Sequence, residues 1–331
     1  MPGERGRACF ATGRTAVSGP RDAAAGEAGR DRATDLGLLA LTLIWGVNFS
    51  VIKVALGELP PLAFNALRFP LAALVLWALL RLRGPLVLPR REDLPRIVAL
   101  GLLGNVVYQL FFIFGIDATL AGNASILLAT TPVWVVVLST LRGHERPPPA
   151  TWAGVAGTVV GMALVVLGGP EQVALGGATL RGDLLSAGAA VVWAVYTVEG
   201  RDVVRRYGSL RVTAWTLWCG AAGLVLLGLP SLLQVDPGSV SPGAWAGVAY
   251  AGMLAIGVAY LLWYRGVQRI GGTRTAVYSN LVPVVALAVA WVWIGETPTG
   301  LQLAGAAVVI GGMTLTRRSR DGGPEGPPPE E

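Results

Sequence analysis

The sequence has few of the side chains on which soluble enzymes depend. Only 14% of its 331 residues are charged, against about 25% in ordinary soluble domains. His144 is the only histidine, which argues against imidazole catalysis and multi-histidine metal sites. The two cysteines, Cys9 in a polar leader and Cys219 in an apolar run, provide neither a disulfide framework nor a cysteine metal site. We therefore predict no enzyme and no cofactor, metal or catalytic residues.

Long apolar stretches account for most of the chain, of which 53% is hydrophobic. Because backbone polar groups find no partner in lipid, a spanning segment must be a helix or part of a closed barrel, and these stretches lack barrel alternation. The sequence predicts an all-α membrane protein with ten transmembrane helices. The predicted spans cover 36–56, 61–80, 97–116, 121–141, 151–168, 184–204, 212–233, 244–264, 275–294 and 300–316.

Basic residues lie almost entirely on one side of these spans. Lys53 is the only lysine, and 23 of the 26 basic residues fall in the two ends and in alternate connections. By the positive-inside rule both termini are cytoplasmic, which requires an even number of spans. Arginines between apolar runs face lipid headgroups, so we expect no nucleic acid partner. The polar ends, 1–34 and 317–331, are predicted disordered cytoplasmic tails, and the first lacks the apolar core of a signal peptide.

The two halves of the sequence repeat each other. A shift of 148 residues pairs Asp35 and Trp45 with Asp183 and Trp193. Each half has five spans, so the repeats, 35–168 and 183–316, are predicted to be inverted, with a substrate site near the midplane between them. A shift of 151 residues aligns, without a gap, Gly101 with Gly252, Pro132 with Pro283, Glu145 with Glu296, Pro147 with Pro298, Gly154 with Gly305 and Gly161 with Gly312.

These motifs resemble a known transporter domain. IWGVNFSVIKVAL at 44–56 and LPPLAFNALRFPLAAL at 59–74 are similar to the opening of an EamA-type domain of the drug/metabolite transporter superfamily. The second half resembles it through IGETPT at 294–299 and GAAVVIGGMTL at 305–315. The resemblance implies ten helices in two inverted five-helix repeats that move small metabolites, often outward, across the cytoplasmic membrane. It implies no particular substrate, and RGHERPPP at 142–149 departs from it.

Arg68 is the main candidate site residue because it lies about 10 Å inside the second span. An intramembrane charge is costly unless it pairs or meets water. The alternative is that Arg68 reaches the headgroups or caps carbonyls. For Lys53, which lies nearer the same end, reaching the headgroups is the favoured interpretation. Asp117 is a potential partner of either base. An unpaired cation in the cavity would favour anionic or zwitterionic substrates.

Other polar residues inside the spans should face the bundle interior. Each of them either contacts substrate or joins helices, and the sequence does not decide between these roles. The remaining substrate-cavity candidates are Asn48, Tyr108, Gln109, Asn123, Tyr196, Tyr260 and Asn280.

Two prolines and one acid complete the candidates. Pro132 and Pro283 occupy equivalent positions within spans, where each would bend its helix and serve as a hinge or as a static kink. Glu199 is the best placed acid for a proton relay, but an ion pair at the inner surface is the favoured interpretation. The small residues of the fifth and tenth spans are interpreted as packing residues.

The sequence thus predicts a multipass exporter of the cell membrane that works by alternating access on a small metabolite or drug-like solute. A non-transporting scaffold is the alternative, and an intramembrane enzyme is disfavoured because no base or pair of deep aspartates accompanies a nucleophile. The expected partners are a small-molecule substrate and membrane lipids, and a homodimer is left open.

Overall fold

The computed structural model describes residues 20–143, 147–168, 178–270, 275 and 278–321. Side chains are described from Ala33 onward in the first helix and up to Thr316 in the last. These residues form helices throughout, without strands in the described ranges. We label them α1 (Pro20–Leu56), α2 (Pro61–Leu82), α3 (Leu94–Ala118), α4 (Ala121–Leu141), α5 (Pro149–Leu167), α6 (Ala178–Tyr207), α7 (Ser209–Leu232), α8 (Pro242–Ala249, Tyr250–Val258 and Ala259–Ile270), α9 (Val282–Ile294) and α10 (Gly300–Asp321).

Proline and glycine explain many of the helix ends. Pro61, Pro149 and Pro242 lie in the first turn of α2, α5 and α8, where their missing N–H is not needed. The Oγ of Ser241 caps α8 by accepting a hydrogen bond from the N–H of Ala244 at 3.2 Å. Gly295 ends α9 with φ of 74°, a left-handed conformation that glycine adopts without strain.

Among the described residues, seven helices are long and apolar enough to cross a membrane. Two shorter apolar helices, in α9 and α10, follow. In α6 the apolar stretch lies between the charged residues Asp183 and Glu199. The all-helical membrane fold is therefore as predicted, whereas the count of ten spans stays a prediction. The seven spans are Ala33–Leu56, Pro61–Leu82, Leu94–Ala118, Ala121–Leu141, Pro149–Leu167, Ser209–Leu232 and Pro242–Trp263.

Each of the two predicted tails overlaps one end of a helix. Helix α1 starts at Pro20, inside the segment 1–34, and α10 continues to Asp321, inside the segment 317–331. Residues 1–19 and 322–331 lie outside the described residues. Glu145, which the repeat aligns with Glu296, also lies outside them.

Helix irregularities recur at matching places in the two halves. Leu102–Val107 in α3 and Tyr250–Val258 in α8 are π-helical, and a shift of 151 residues superimposes the first on the end of the second. The prolines also match, but neither lies in mid-helix. Pro132 is in the first turn of the segment Thr131–Leu141, after a break at Thr130, and Pro283 is in the first turn of α9. Each proline thus starts a helical segment rather than bending a continuous helix.

Helix packing follows the same repeat. Helix α2 packs on α7, and α5 packs on α10. Helix α1 packs on α8 and α9, as α6 packs on α3 and α4. Helix α2 contacts α8, as α7 contacts α3. If each helix is replaced by the helix five places away in the chain, each of these packed pairs thus becomes itself or another of the packed pairs.

Glycines bring α5 and α10 into backbone contact. A Cβ on Gly161 would lie 2.8 Å from the carbonyl oxygen of Gly305, and one on Gly312 would lie 2.7 Å from that of Gly154. No side chain fits at such distances, so these glycines permit the close approach seen between helices in membranes. The packing interpretation is confirmed for these four glycines, whereas a Cβ on Gly311 would meet nothing within 4 Å.

Candidate substrate site

The centre of the site is Arg68 on α2, which is only 2% exposed. Its Nε donates to Oδ1 of Asn65, three residues earlier on the same helix, at 2.9 Å. Its Nη2 donates to Oε1 of Gln109 on α3 at 2.7 Å. Both acceptors lie inside the bundle, so the guanidinium does not reach helix-end carbonyls as the capping interpretation required.

Aromatic rings surround the Arg68 guanidinium. Its Cζ lies 5.2 Å from the ring centroid of Phe64, 5.4 Å from that of Phe69 and 5.6 Å from that of Phe112. Such cation–π contacts contribute about 0.5–2 kcal/mol each, depending on desolvation. They compensate only part of the cost of burying a charge in a membrane protein.

Arg68 has no acidic partner in the part of the chain that the structure describes. The ion pairs found there involve other arginines, all of them outside the bundle centre. The carboxylate of Asp117 does not pair with Arg68. The guanidinium is therefore a buried cation whose protein neighbours, as far as they are described, are neutral amides and rings.

An aromatic wall extends from this cation toward α6. Tyr108, next to Gln109 on α3, lies 5.6 Å from Phe112 and 4.8 Å from Trp193 on α6, measured between ring centroids. Trp193 lies 5.0 Å from Tyr196, whose hydroxyl is 3.1 Å from the Oγ1 of Thr216 on α7. The wall joins α3, α6 and α7, and it offers rings to an apolar group.

Asn65, which bonds to Arg68, has a buried Nδ2 without a hydrogen-bond partner among the described residues. Oδ1 of Asn48 on α1 is among the other buried polar atoms without one. Buried polar atoms are almost always satisfied, so an orphaned donor beside a buried cation fits a site that a polar ligand completes. Tyr260 on α8 packs against the hydrophobic cluster that contains Phe69, which brings the second half of the chain to the same region.

Two of the sequence candidates lie apart from Arg68. Asn280 is half-buried before α9 and forms no hydrogen bond with the cluster among the described residues. Asn123 joins a different network, in which its Nδ2 donates to Oδ1 of Asp183 at 3.3 Å and its Oδ1 accepts from Nε2 of Gln302 at 2.7 Å. Thr119 also donates to Oδ1 of Asp183, at 2.5 Å. Asn123 therefore connects α4, α6 and α10 instead of lining the Arg68 cluster.

Lys53 caps a helix end, and Glu199 forms the ion pair that the sequence favoured. The Nζ of Lys53 donates to the carbonyl oxygens of Ile116, Asp117 and Thr119 at 2.9, 2.8 and 2.6 Å, so it caps the end of α3. Glu199 pairs with Arg142 at 2.5 Å and is partly exposed. The ion-pair interpretation of Glu199 is confirmed, and this acid is not buried in the site.

Asn65 and Trp193 belong to the cluster, although neither is among the substrate-cavity candidates predicted from the sequence. Asn65 precedes Arg68 by three residues, a spacing that places two side chains on the same helix face. That spacing was a usable signal. Nothing in the sequence indicates that Trp193 lies between Tyr108 and Tyr196, because the contact joins helices far apart in the chain.

Comparison with known proteins agrees with this architecture. The model of the EamA-like transporter family matches residues 32–167 and 180–318. The chain belongs to this family. It is a multipass membrane transporter and not an enzyme, as its sequence predicted.

Several relatives extend over nearly the whole transporter region. A probable terminal-alkyne amino-acid exporter of Streptantibioticus cattleyicolor is 33% identical, over 85% of this chain and 92% of its own length. An uncharacterized transporter of Archaeoglobus fulgidus is 31% identical, over 84% and 96%. A probable amino-acid metabolite efflux pump of Escherichia coli is 28% identical, over 84% and 93%. A chain in a solved crystal structure has the same fold, with a TM-score of 0.62 and 24% identity over 89% of this chain and 99% of its own.

Proposed function

We propose that this protein exports a small metabolite that bears a carboxylate, such as an amino acid, across the cytoplasmic membrane. The observation that carries the proposal is the buried guanidinium of Arg68, which has no acidic partner among the described residues. Arg68 supplies the counter-charge for the substrate carboxylate. The aromatic wall of Tyr108, Trp193 and Tyr196 receives the rest of the substrate.

The electrostatics of Arg68 favour an anionic group. A buried charge that lacks a partner is strongly destabilising, and the guanidinium fork matches a carboxylate with two parallel hydrogen bonds. Asn65 offers a further donor through its Nδ2, which has no hydrogen-bond partner among the described residues.

The names of two relatives agree with this substrate class. The proteins of Streptantibioticus cattleyicolor and Escherichia coli are named for the export of amino acids or their metabolites. An amino acid carries both a carboxylate and an ammonium group. The orphaned Oδ1 of Asn48 is an acceptor that would suit the ammonium.

The transport cycle that we propose is alternating access between two inverted repeats, 35–168 and 183–316, with ten spans and both termini cytoplasmic. Its support is the helix packing, which a step of five helices reproduces, and the matching π-helical segments. Matching breaks before Pro132 and Pro283 interrupt the backbone hydrogen bonds of both halves, so we assign the hinges to these breaks.

The test uses the purified full chain in liposomes loaded with a panel of amino acids. Wild type should release an amino acid, and Arg68→Gln should abolish this release. Arg81→Gln is the matched control, because Arg81 is an exposed arginine in the last turn of the same helix. Thermal unfolding of all three proteins shows that they are folded.

Two outcomes contradict the proposal. If folded Arg68→Gln transports like Arg81→Gln, Arg68 is not the substrate counter-charge. If wild type releases none of the panel but releases amines without a carboxylate, the substrate class is wrong.

A further inference from the structure

Two concave surfaces meet where α2 and α7 pack together. The first is a cavity of about 280 Å³ at the end of α2, lined by polar and apolar residues that include Arg83, Tyr207 and Arg211. The second is an almost wholly apolar groove of about 850 Å³ along the two helices. Leu86 lines both, so the groove and the cavity are adjacent.

The cavity contains two arginines without acidic partners. Arg83 follows α2 and Arg211 lies in the first turn of α7, and neither forms an ion pair within the described residues. Neighbouring arginines on the same side are paired: Arg96 and Arg205 with Asp202, and Arg206 with Asp93. Two arginines of this region that form no ion pair among the described residues therefore lie together at the cavity, whereas Arg91, also without one, lies outside it.

Tyr207 gives the cavity a fixed wall. Its hydroxyl donates to Oδ2 of Asp93 at 2.5 Å and accepts from the backbone N–H of Arg90 at 3.2 Å. Asp93 is in turn held by Arg206 at 2.7 Å. The cavity is thus built on a hydrogen-bonded connection between the end of α6 and the segment before α3.

Small side chains on α2 and α7 leave the space that forms the groove. Ala73 on α2 and Ala221 and Ala222 on α7 line it together with Trp77 and Leu226. The indole N–H of Trp218 donates to the carbonyl oxygen of Ala73 at 3.2 Å. Apart from the indole of Trp77, the other lining side chains are hydrocarbons, so the surface suits a hydrocarbon chain.

The dimensions match one leaflet of a bilayer. The cavity and the groove together extend from Arg83, just after α2, to Pro70, which is about 20 Å of helix at 1.5 Å per residue. Half of the hydrocarbon core is about 15 Å. A phosphate at Arg83 would therefore place an acyl chain along the groove as far as the bilayer centre.

We propose that this seam binds one anionic glycerophospholipid, with its phosphate between Arg83 and Arg211 and an acyl chain in the groove. Both arginines belong to connections that the charge distribution assigns to the cytoplasm, and anionic lipids enrich that leaflet. Basic pockets between membrane helices on the cytoplasmic side bind such headgroups. The lipid contacts α2 and α7, one helix from each half of the chain.

The test is native mass spectrometry of the full chain released from nanodiscs of phosphatidylglycerol and phosphatidylcholine in equal amounts. Wild type should retain one phosphatidylglycerol. Arg83→Ala/Arg211→Ala should retain it about 30-fold less, at roughly 1 kcal/mol for each arginine near the membrane surface. Arg91→Ala is the matched control, because Arg91 is exposed, unpaired among the described residues and outside the cavity, and it should behave like wild type.

A second variant tests the groove apart from the charges. Ala222→Trp places a large side chain in the groove and should also remove the retained lipid. Inorganic phosphate at millimolar concentration should not displace the lipid from wild type. Three results overturn the proposal: equal retention of both lipids, equal loss in Arg91→Ala, or displacement by inorganic phosphate, which would make the cavity a site for free phosphate. A wild-type dimer that Ala222→Trp dissociates would assign the groove to a second copy of the chain.

Discussion

Helices α2 and α7 occupy corresponding places in the two halves, yet they carry different chemistry. Arg68 lies as far from the start of α2 as Thr216 lies from the start of α7. Arg68 reaches across to Gln109 on another helix. Thr216 bonds mainly to its own helix, at the carbonyl oxygens of Val212 and Thr213, and to Tyr196.

The repeated features are structural and the unrepeated ones are chemical. Packing glycines, π-helical segments and prolines recur in both halves, whereas a buried cation is present in the described part of the first half only. A rocking framework needs two similar halves, since each must close one side of the membrane. One binding centre needs only one counter-charge, so the second half is free to supply rings and hydroxyls.

The largest predicted effect separates Arg68 from its counterpart. Arg68→Gln should lower transport by about 100-fold. The variant loses the hydrogen bonds between the charged guanidinium and the substrate, which contribute about 3 kcal/mol of binding free energy. Thr216→Val should change transport less than about threefold, since the hydroxyl bonds largely within its own helix. Initial rates of efflux from liposomes measure both. Equal losses would show that the two halves share the binding chemistry.

Packing glycines should instead respond alike in both halves. Gly161→Ala and Gly312→Ala each place a Cβ less than 3 Å from backbone atoms of the facing helix, so each should destabilise the protein by about 3 kcal/mol. Gly311→Ala is the control, because its Cβ meets nothing within 4 Å. Thermal unfolding in detergent measures the three. A loss confined to one half would contradict the symmetry of the framework.

The two aspartates that the repeat aligns, Asp35 and Asp183, should contribute to stability by moderately different amounts. Asp183 is 2% exposed and accepts from Thr119 and Asn123, so Asp183→Ala leaves two donors without an acceptor and should cost about 2 kcal/mol of stability. Asp35 accepts a hydrogen bond from the hydroxyl of Tyr278 at 2.7 Å, and this bond is only half-buried. Asp35→Ala should therefore cost under about 1 kcal/mol. Unfolding in detergent compares them, and a reversed order would refute this account of the two networks.

The smallest effect concerns the starts of α3 and α8, each held by a carboxylate. The Tyr207 hydroxyl, with help from Arg206, lowers the pKa of Asp93 below its usual 3.8. The Ser241 hydroxyl and N–H, at 2.7 and 2.6 Å, lower the pKa of Glu58 below its usual 4.5. A lowered pKa in the folded state stabilises the protein above the unfolded pKa, and this contribution is lost as the pH falls through the folded pKa.

Asp93→Asn and Glu58→Gln should therefore lower the unfolding temperature near pH 7, with each difference from wild type vanishing in acid. The difference for Glu58→Gln should begin to shrink at a higher pH than that for Asp93→Asn, because the ordinary pKa of glutamate is higher. Unfolding followed from pH 7 to pH 2 measures the pair. Differences that do not change with pH would mean that neither contact depends on ionisation.

The helices could be predicted from sequence, because a run of apolar residues between prolines, glycines and arginines has one structure in lipid. The partners of Arg68 could not. Helices such as α2 are apolar around their whole circumference, so no amphipathic pattern shows which face meets α3. The contact between Arg68 and Gln109 depends on the packing of two helices, which no local pattern describes.

The start of α1 and the proline positions were also beyond sequence reasoning. Pro20–Leu56 begins with a polar stretch that, by composition, predicts a disordered tail, yet the helix continues through it. Pro132 was expected to bend a continuous helix, but the break at Thr130 precedes it. A proline is tolerated in the first turn of a helix, so its presence marks a kink or a new start equally well.

The central claim is that Arg68 recognises the substrate carboxylate. Its most direct measurement is competition of efflux by an amino acid and by the corresponding amino-acid amide, in wild type and in Arg68→Gln. Wild type should prefer the carboxylate about 100-fold, and Arg68→Gln should bind both ligands with the same weak affinity. If Arg68→Gln keeps the wild-type preference for the carboxylate, another group recognises it and the account is wrong.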